Sequence, residues 1–137
     1  MLYVDGSLPI EKLREKFSCD TYATETTGAR VIDAKKGHSV VELPLDDRHV
    51  NGVGGVMGGA IFTLADFAFA VAANTGQPPT VTVDTAIHFM SAPRGTKLIA
   101  TATMLKEGRS LCYCRVEVVD EEGRPVATTT ATGARVG

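Results

Sequence analysis

The sequence predicts an α+β fold: an antiparallel sheet of about six strands wrapped around one long central helix, with a short helix near the N-terminus. Three observations lead there. The segment "NGVGGVMGGAIFTLADFAFAVAAN", Asn51 to Asn74, opens on glycines and continues as a long apolar run whose one charged residue is Asp66. Everything after the breaker "TGQPP" is β-branched or alternating. Ahead of the apolar run come a short amphipathic stretch and two β-prone stretches split by a turn.

Taken in order, "SLPIEKLREKF" reads as the short helix, with Ser7 as N-cap, Pro9 in the tolerated first turn, and Ile10, Leu13 and Phe17 at helical spacing. "TGARVIDAKKGHSVVELPL" reads as a hairpin: Ala29 to Ala34 and His38 to Leu45 flank the turn "KKG", and Val41, Leu43 and Leu45 alternate with Glu42 and Pro44. "DDRHVNGVGG" reads as a loop. The apolar segment then supplies the long helix. A helix apolar nearly all round must be covered on nearly all sides. One sheet face cannot do that, so a second copy of the chain is expected to cover the rest. Four strands follow in "TVTVDTAIHFM", "KLIATATMLKEG", "RSLCYCRVEVVDEEG" and "RPVATTTATGARVG", with turns at "SAPRGT", "EGR" and "DEEGRP". No repeat or linker interrupts the chain, so one domain over residues 1–137 is expected.

Composition narrows the function. The formal charge is -2 without a run of one sign, which leaves no electrostatic footprint for nucleic acid or an anionic membrane. The three cysteines, Cys19, Cys112 and Cys114, have no CxxC spacing and read as small buried hydrophobes in a reducing compartment. No basic stretch leads into an apolar run at the start and no apolar run is long enough to span a bilayer. A cytoplasmic location is the expectation. His38, His49 and His88 lack metal-ligand spacing, so no metal and no cofactor are expected. "GVGGVMGG" lacks the GK[ST] ending of a phosphate loop.

Asp66 is the residue that calls for an explanation. A buried charge is costly, and the helix holds no Lys or Arg to pair with it. A functional carboxylate is the sharper reading, beside the plain one of an Asp satisfied by backbone or Thr hydroxyls. If the helix starts near Gly58, then Gly58 and Gly59 offer free N–H groups and the positive end of the helix dipole to a carbonyl oxygen gaining charge. Asp66 supplies a general base or a nucleophile. Donor and base together describe acyl transfer to water. Gly58 and Asp66 lie about 12 Å apart along one helix, too far to act on one carbon. Two antiparallel helices across a two-fold axis bring Gly58 of one chain to Asp66 of the other.

The segment also resembles the signature of the PaaI-like (phenylacetate-pathway) hotdog-fold thioesterases. It matches at Asn51, Gly58, Gly59, Leu64, Ala65, Asp66, Ala68, Ala72 and Asn74, and the likeness continues through "TVDTAIHFMSAPRGTKLIATA", "GRSLCYCRVEV" and the closing strand at Val126 and Ala127. The resemblance implies a hotdog fold and an acyl-CoA thioesterase. Asp66 would activate water or attack the thioester, with the Gly58 N–H as oxyanion donor. Asn51 would hold the thioester carbonyl or shape its loop, and Thr82, two before Asp84, would assist the water. Met57 and Gly59 would contact substrate. Met57 departs from the family pattern, which has His there, and methionine cannot donate a hydrogen bond. Arg94 and Arg109, both at turns, are candidates for the coenzyme A phosphates or are simply solvated. The expected partners are acyl-CoA and further copies of the chain, a dimer at minimum and a tetramer by expectation. The alternative is a non-catalytic acyl-CoA-binding or oligomer-forming hotdog protein, which Met57 favours.

Overall fold

The computed structural model describes residues 3–136. Helix α1 covers Ile10–Phe17 and is followed by a π-type helical turn, Tyr22–Thr27. Strands β1 (Arg30–Lys35) and β2 (His38–Pro44) form the hairpin, and a 3-10 turn, Asp47–His49, leads to helix α2, Gly58–Asn74. Then come β3 (Thr80–Phe89), β4 (Lys97–Glu107), β5 (Leu111–Asp120) and β6 (Pro125–Arg135). The last predicted strand reaches Gly137, which lies outside the described residues.

The six strands form one sheet in the order β1-β2-β4-β5-β6-β3, every neighbouring pair antiparallel. Consecutive strands β3 and β4 are therefore not neighbours. β3 crosses to the edge beside β6, and β4 takes the place next to β2. The sheet curls around α2, the hotdog arrangement that the resemblance implies. Leu43, Leu98, Ala100, Ala102, Val116 and Val118 meet Leu64, Phe67, Ala68 and Val71 of α2 in one core. Ser39 Oγ donates to the Ala68 carbonyl at 2.6 Å, tying β2 to the middle of the helix. Gly133 lets β6 come close: a Cβ there would lie 2.7 Å from the Phe69 ring and 2.8 Å from Thr80 Cγ2.

Several expectations need correction. Ser7 does not cap α1, because its N–H and hydroxyl both turn back to Asp5 Oδ1, at 2.9 and 2.8 Å; Pro9 takes the cap position. Between α1 and β1, a stretch to which the sequence pattern assigns no element, Gly28 N–H and Ala29 N–H both close on the Ala23 carbonyl at the end of the π-type turn. The expected loop after β2 contains a capping box, in which Asp46 Oδ1 accepts from Arg48 N–H and His49 Nδ1 accepts from Asp46 N–H. Cys112 and Cys114 are buried as expected, and burial pushes the Cys114 thiol up to about 12, but Cys19 is exposed.

The covering of α2 also differs from expectation. The π-type turn packs on it within one chain, and α1 adds Phe17, buried with its ring set edge-on against Phe67, centroids 6.4 Å apart. Past the first turn, where Gly58, Gly59 and Ala60 stay at least partly accessible, α2 leaves one stripe open: Phe62, Thr63, Asp66, Ala70 and Asn74. Those residues recur at helical spacing, so the lone carboxylate stands on the partly accessible face of the helix. Among the described residues, no helix is long and apolar enough to cross a membrane.

Candidate active site

Asp66 occupies the middle of the open stripe, facing β3. Thr82 Oγ donates to Asp66 Oδ1 at 3.3 Å, so the two residues singled out as base and helper meet within one chain. The β3–β6 ladder shifts register directly after this contact, between Thr82 and Asp84. Burial pushes the Asp66 carboxyl above its ordinary value. The Thr82 hydrogen bond pulls the other way, and the charge of Asp20 pushes up again. A half-buried carboxylate with one neutral donor and a like-charged neighbour is a base that holds its proton more tightly than a solvated Asp.

Gly58 is the first residue of α2, and Met57 takes the cap position without a side-chain hydrogen bond. Among the described residues, no acceptor takes the N–H of Gly58 or Gly59, whereas those of Ala60 and Ile61 turn to the Met57 carbonyl. The helix dipole thus ends in two unused donors. Gly58 lies against the Phe89 ring, where a Cβ would be 3.3 Å from Cζ. Beside it opens a cleft of about 470 Å³, lined by Asn51, Val56, Ile61, Phe89 and Met90 among others.

Asn51 shapes the loop leading into that cleft. Its Oδ1 accepts from Val53 N–H and Gly55 N–H, both at 3.0 Å, and its own N–H donates to the Gly55 carbonyl at 2.8 Å. The Asn51 side-chain N–H₂ has no acceptor among the described residues and remains free at the cleft wall. Met57 is half-exposed, and its N–H donates to the His49 carbonyl at 2.7 Å.

The arginines part company. Arg94 is exposed directly after Pro93, which lines the Gly58 cleft, and its N–H donates to Asp120 Oδ2. Arg109 is exposed at the β4–β5 turn, near Ser110, whose carbonyl accepts from Arg135 N–H. Arg135 pairs with Thr80, at the opposite end of β3 from Phe89. One chain therefore does not bring Arg109 to Gly58.

His49 is not a polar loop residue. It is 3% exposed, with Nε2 at 2.6 Å from the Thr27 carbonyl. Since Nδ1 accepts from Asp46, Nε2 carries the hydrogen and donates, and the ring anchors the loop to the π-type turn. His88 lies on the exposed side of β3. The residues that sequence reasoning missed are Asp20 and Phe89. Phe89 could have been read as the last inward position of an alternating strand, but nothing in the sequence links Asp20 to Asp66. Among the described residues, no cluster of His, Cys, Asp and Glu could hold a metal ion.

Comparison with known proteins adds a family. The family model of the thioesterase superfamily matches residues 53–127. The acyl-coenzyme A thioesterase PaaI of Escherichia coli is 30% identical over 80% of this chain and 79% of its own length. A Deinococcus radiodurans protein that bears an esterase name is 37% identical over 81% of this chain and 77% of its own. The structure of the E. coli PaaI protein superposes with a TM-score of 0.82 at 25% identity, covering 94% of this chain and 97% of that one. A Streptococcus mutans protein solved bound to acetyl-CoA superposes with a TM-score of 0.74 at 25% identity, covering 78% and 87%.

Proposed function

The chain belongs to the thioesterase superfamily, and from that premise we propose that it hydrolyses acyl-CoA to a free acid and coenzyme A. The observation that carries the reading is the contact of Thr82 with Asp66 on the open stripe of α2. In the proposed reaction, Thr82 and Asp66 hold a water against the thioester carbonyl. Asp66 takes one water proton as oxygen attacks carbon. The Gly58 N–H of a second copy, at the positive end of its α2, receives the oxyanion. Collapse expels the coenzyme A thiolate, which recovers the proton from Asp66. Direct attack by Asp66, through an anhydride that water then opens, is the variant of the same arrangement.

The need for a second copy follows from distance. Gly58 and Asp66 stand about 12 Å apart along one helix. β3 is an edge strand and most of it is exposed, including Val81, Val83 and Phe89. Gly58 packs at its Phe89 end, while Asp66 meets Thr82 near its start. A copy pairing antiparallel along that free edge carries its own Phe89 end, and Gly58 with it, toward this chain's Asp66. Arg94 of that copy then rims the entry, where the coenzyme A phosphates would meet it. We read residues 1–137 as one such domain, working as a dimer or a dimer of dimers in the cytoplasm.

A panel of acyl-CoAs followed by thiol release tests the reading. Turnover of at least one member above the uncatalysed rate is expected, and silence toward all of them contradicts it. Met57 favours the second reading, a protein that binds acyl-CoA without cleaving it. Met57→His decides between the two, because it returns a donor beside the thioester. A gain in turnover or a lower KM is expected of an intact site. Acyl-CoA binding by calorimetry with no hydrolysis from either form would establish the binding protein instead.

A further inference from the structure

A smaller cavity, of about 170 Å³, opens one step away from the Asp66–Thr82 pair and is lined by Phe17, Cys19, Asp20, Ala70, Asn74, Pro79 and Thr80. It shares both walls with that pair. Ala70 is one helical turn beyond Asp66 on the open stripe, and Thr80 is one alternation before Thr82 on the face turned to α2. Resting on the thioesterase reading, we propose that this cavity receives the far end of the acyl group, and that Asp20 selects among tails there, accepting one that carries a hydrogen-bond donor and rejecting one that ends in a carboxylate.

The polar groups of the cavity support the assignment by elimination. Asn74 is fully engaged: Nδ2 donates to the carbonyls of Ala70 and Thr80, at 2.8 and 3.2 Å, and Oδ1 accepts from Thr80 N–H at 2.8 Å. Thr80 Oγ accepts from Arg135 Nη1 at 2.6 Å and donates to the Pro78 carbonyl at 2.9 Å. Cys19 Sγ donates to the Lys16 carbonyl. Among the described residues, only the Asp20 carboxylate in this cavity has neither a hydrogen bond nor an ion pair; it is exposed, so it stands at the cavity's solvent side. Phe17, Ala70 and Pro79 make the remaining wall apolar. An ionised carboxylate accepts and never donates, so it rewards a hydroxyl and repels a second carboxylate. Asp20 is also close enough for its charge to add to the effect of burial in raising Asp66.

Size limits the tail. At roughly 30 Å³ per water-sized group, the cavity takes about five or six heavy atoms. One helical turn, about 5.4 Å, separates Ala70 from Asp66. A tail whose end lies only a few bonds beyond the carbonyl carbon can reach Asp20.

The test compares kcat/KM for butanoyl-, 3-hydroxypropanoyl- and succinyl-CoA, which share the first carbons and end in methyl, hydroxyl and carboxylate. In the unmodified protein, succinyl-CoA should trail butanoyl-CoA by about tenfold or more, the size of one charged hydrogen-bond or repulsion effect. Asp20→Asn, whose amide can donate to a carboxylate, should close most of that gap. Asp20→Leu should lower the 3-hydroxypropanoyl to butanoyl ratio by about tenfold. An effect of Asp20 on Asp66 alone moves all three substrates together and leaves the ratios unchanged. Turnover with unmoved ratios overturns the inference while leaving the thioesterase reading in place. Hydrolysis of long acyl-CoAs only, with none of these three cleaved, overturns it likewise. No hydrolysis of any acyl-CoA removes the reading beneath it and the inference together.

Discussion

At the scale of single residues, the account rests on a carboxylate kept where it costs the fold something. Asp66 is raised by burial, so its ionised form is less favourable in the native state than in the unfolded chain. That cost is absent well below the ordinary value of 3.8, grows as pH rises above it, and is complete once pH has passed the raised native one. Asp66→Asn should therefore melt at a higher temperature than the unmodified protein near neutral pH, with the gap narrowing toward acid. The same variant should lose hydrolysis by a factor on the order of 10² or more. A variant that keeps its turnover ends the assignment of the base. The base works only when ionised, so activity should fail on the acid side at a pH above the ordinary Asp value. Thr82→Val removes the one contact that lowers Asp66 and should move that acid limb further up; a pH profile of kcat/KM reads it directly. Asp66 was legible because a charge in an apolar run without a partner is conspicuous. Thr82 became legible through the family resemblance, while a strand threonine on its own says little. The burial of His49 was not legible, because it depends on a carbonyl of the π-type turn that no local pattern announces.

At the scale of elements, the periodicities were readable and the ends and crossings were not. The long helix begins at Gly58 and stops at Asn74, where "TGQPP" breaks it and Arg135 Nη1 donates to the Ala73 carbonyl at 3.0 Å. All six strands appear where alternation places them, but alternation carries no information about neighbours, and the move of β3 to the far edge had to come from the structure. Ser7 failed as a cap because Asp5 competes for its hydroxyl at shorter range. The β5–β6 turn offers a test of its own. Burial would raise Asp120, but hydrogen bonds from the N–H groups of Arg94, Arg124 and Glu122 and from the Arg124 guanidinium outweigh it and hold the carboxyl down to about 2. A lowered native value means stability that is fully present above the ordinary 3.8 and is lost as pH falls toward about 2. Acid unfolding should show that loss in the unmodified protein. Asp120→Asn should be less stable at neutral pH and should show a shallower decline over the same interval; identical acid titrations would detach Asp120 from the turn's stability.

At the scale of the whole molecule, the sequence pointed to a wrapped helix and overestimated how bare one chain leaves it. The π-type turn and Phe17 of α1 do part of the covering that had been assigned to a second copy, because both reach α2 from outside the sheet. The stripe that remains carries Asp66, and the free edge of β3 runs beside it. The central claim is that each site is built from two chains, and subunit mixing tests it most directly. Gly58→Val crowds the oxyanion donor and spares the base, whereas Asp66→Asn removes the base and spares the donor. Each variant alone should be nearly inactive with its fold intact by circular dichroism. In a mixed dimer, one site holds both defects and the other neither. Random re-pairing after joint unfolding makes about half the dimers mixed, so activity should return to about a quarter of the unmodified level under two-fold symmetry. A mixture as inactive as its components, with subunit exchange confirmed, would mean that the site lies within one chain.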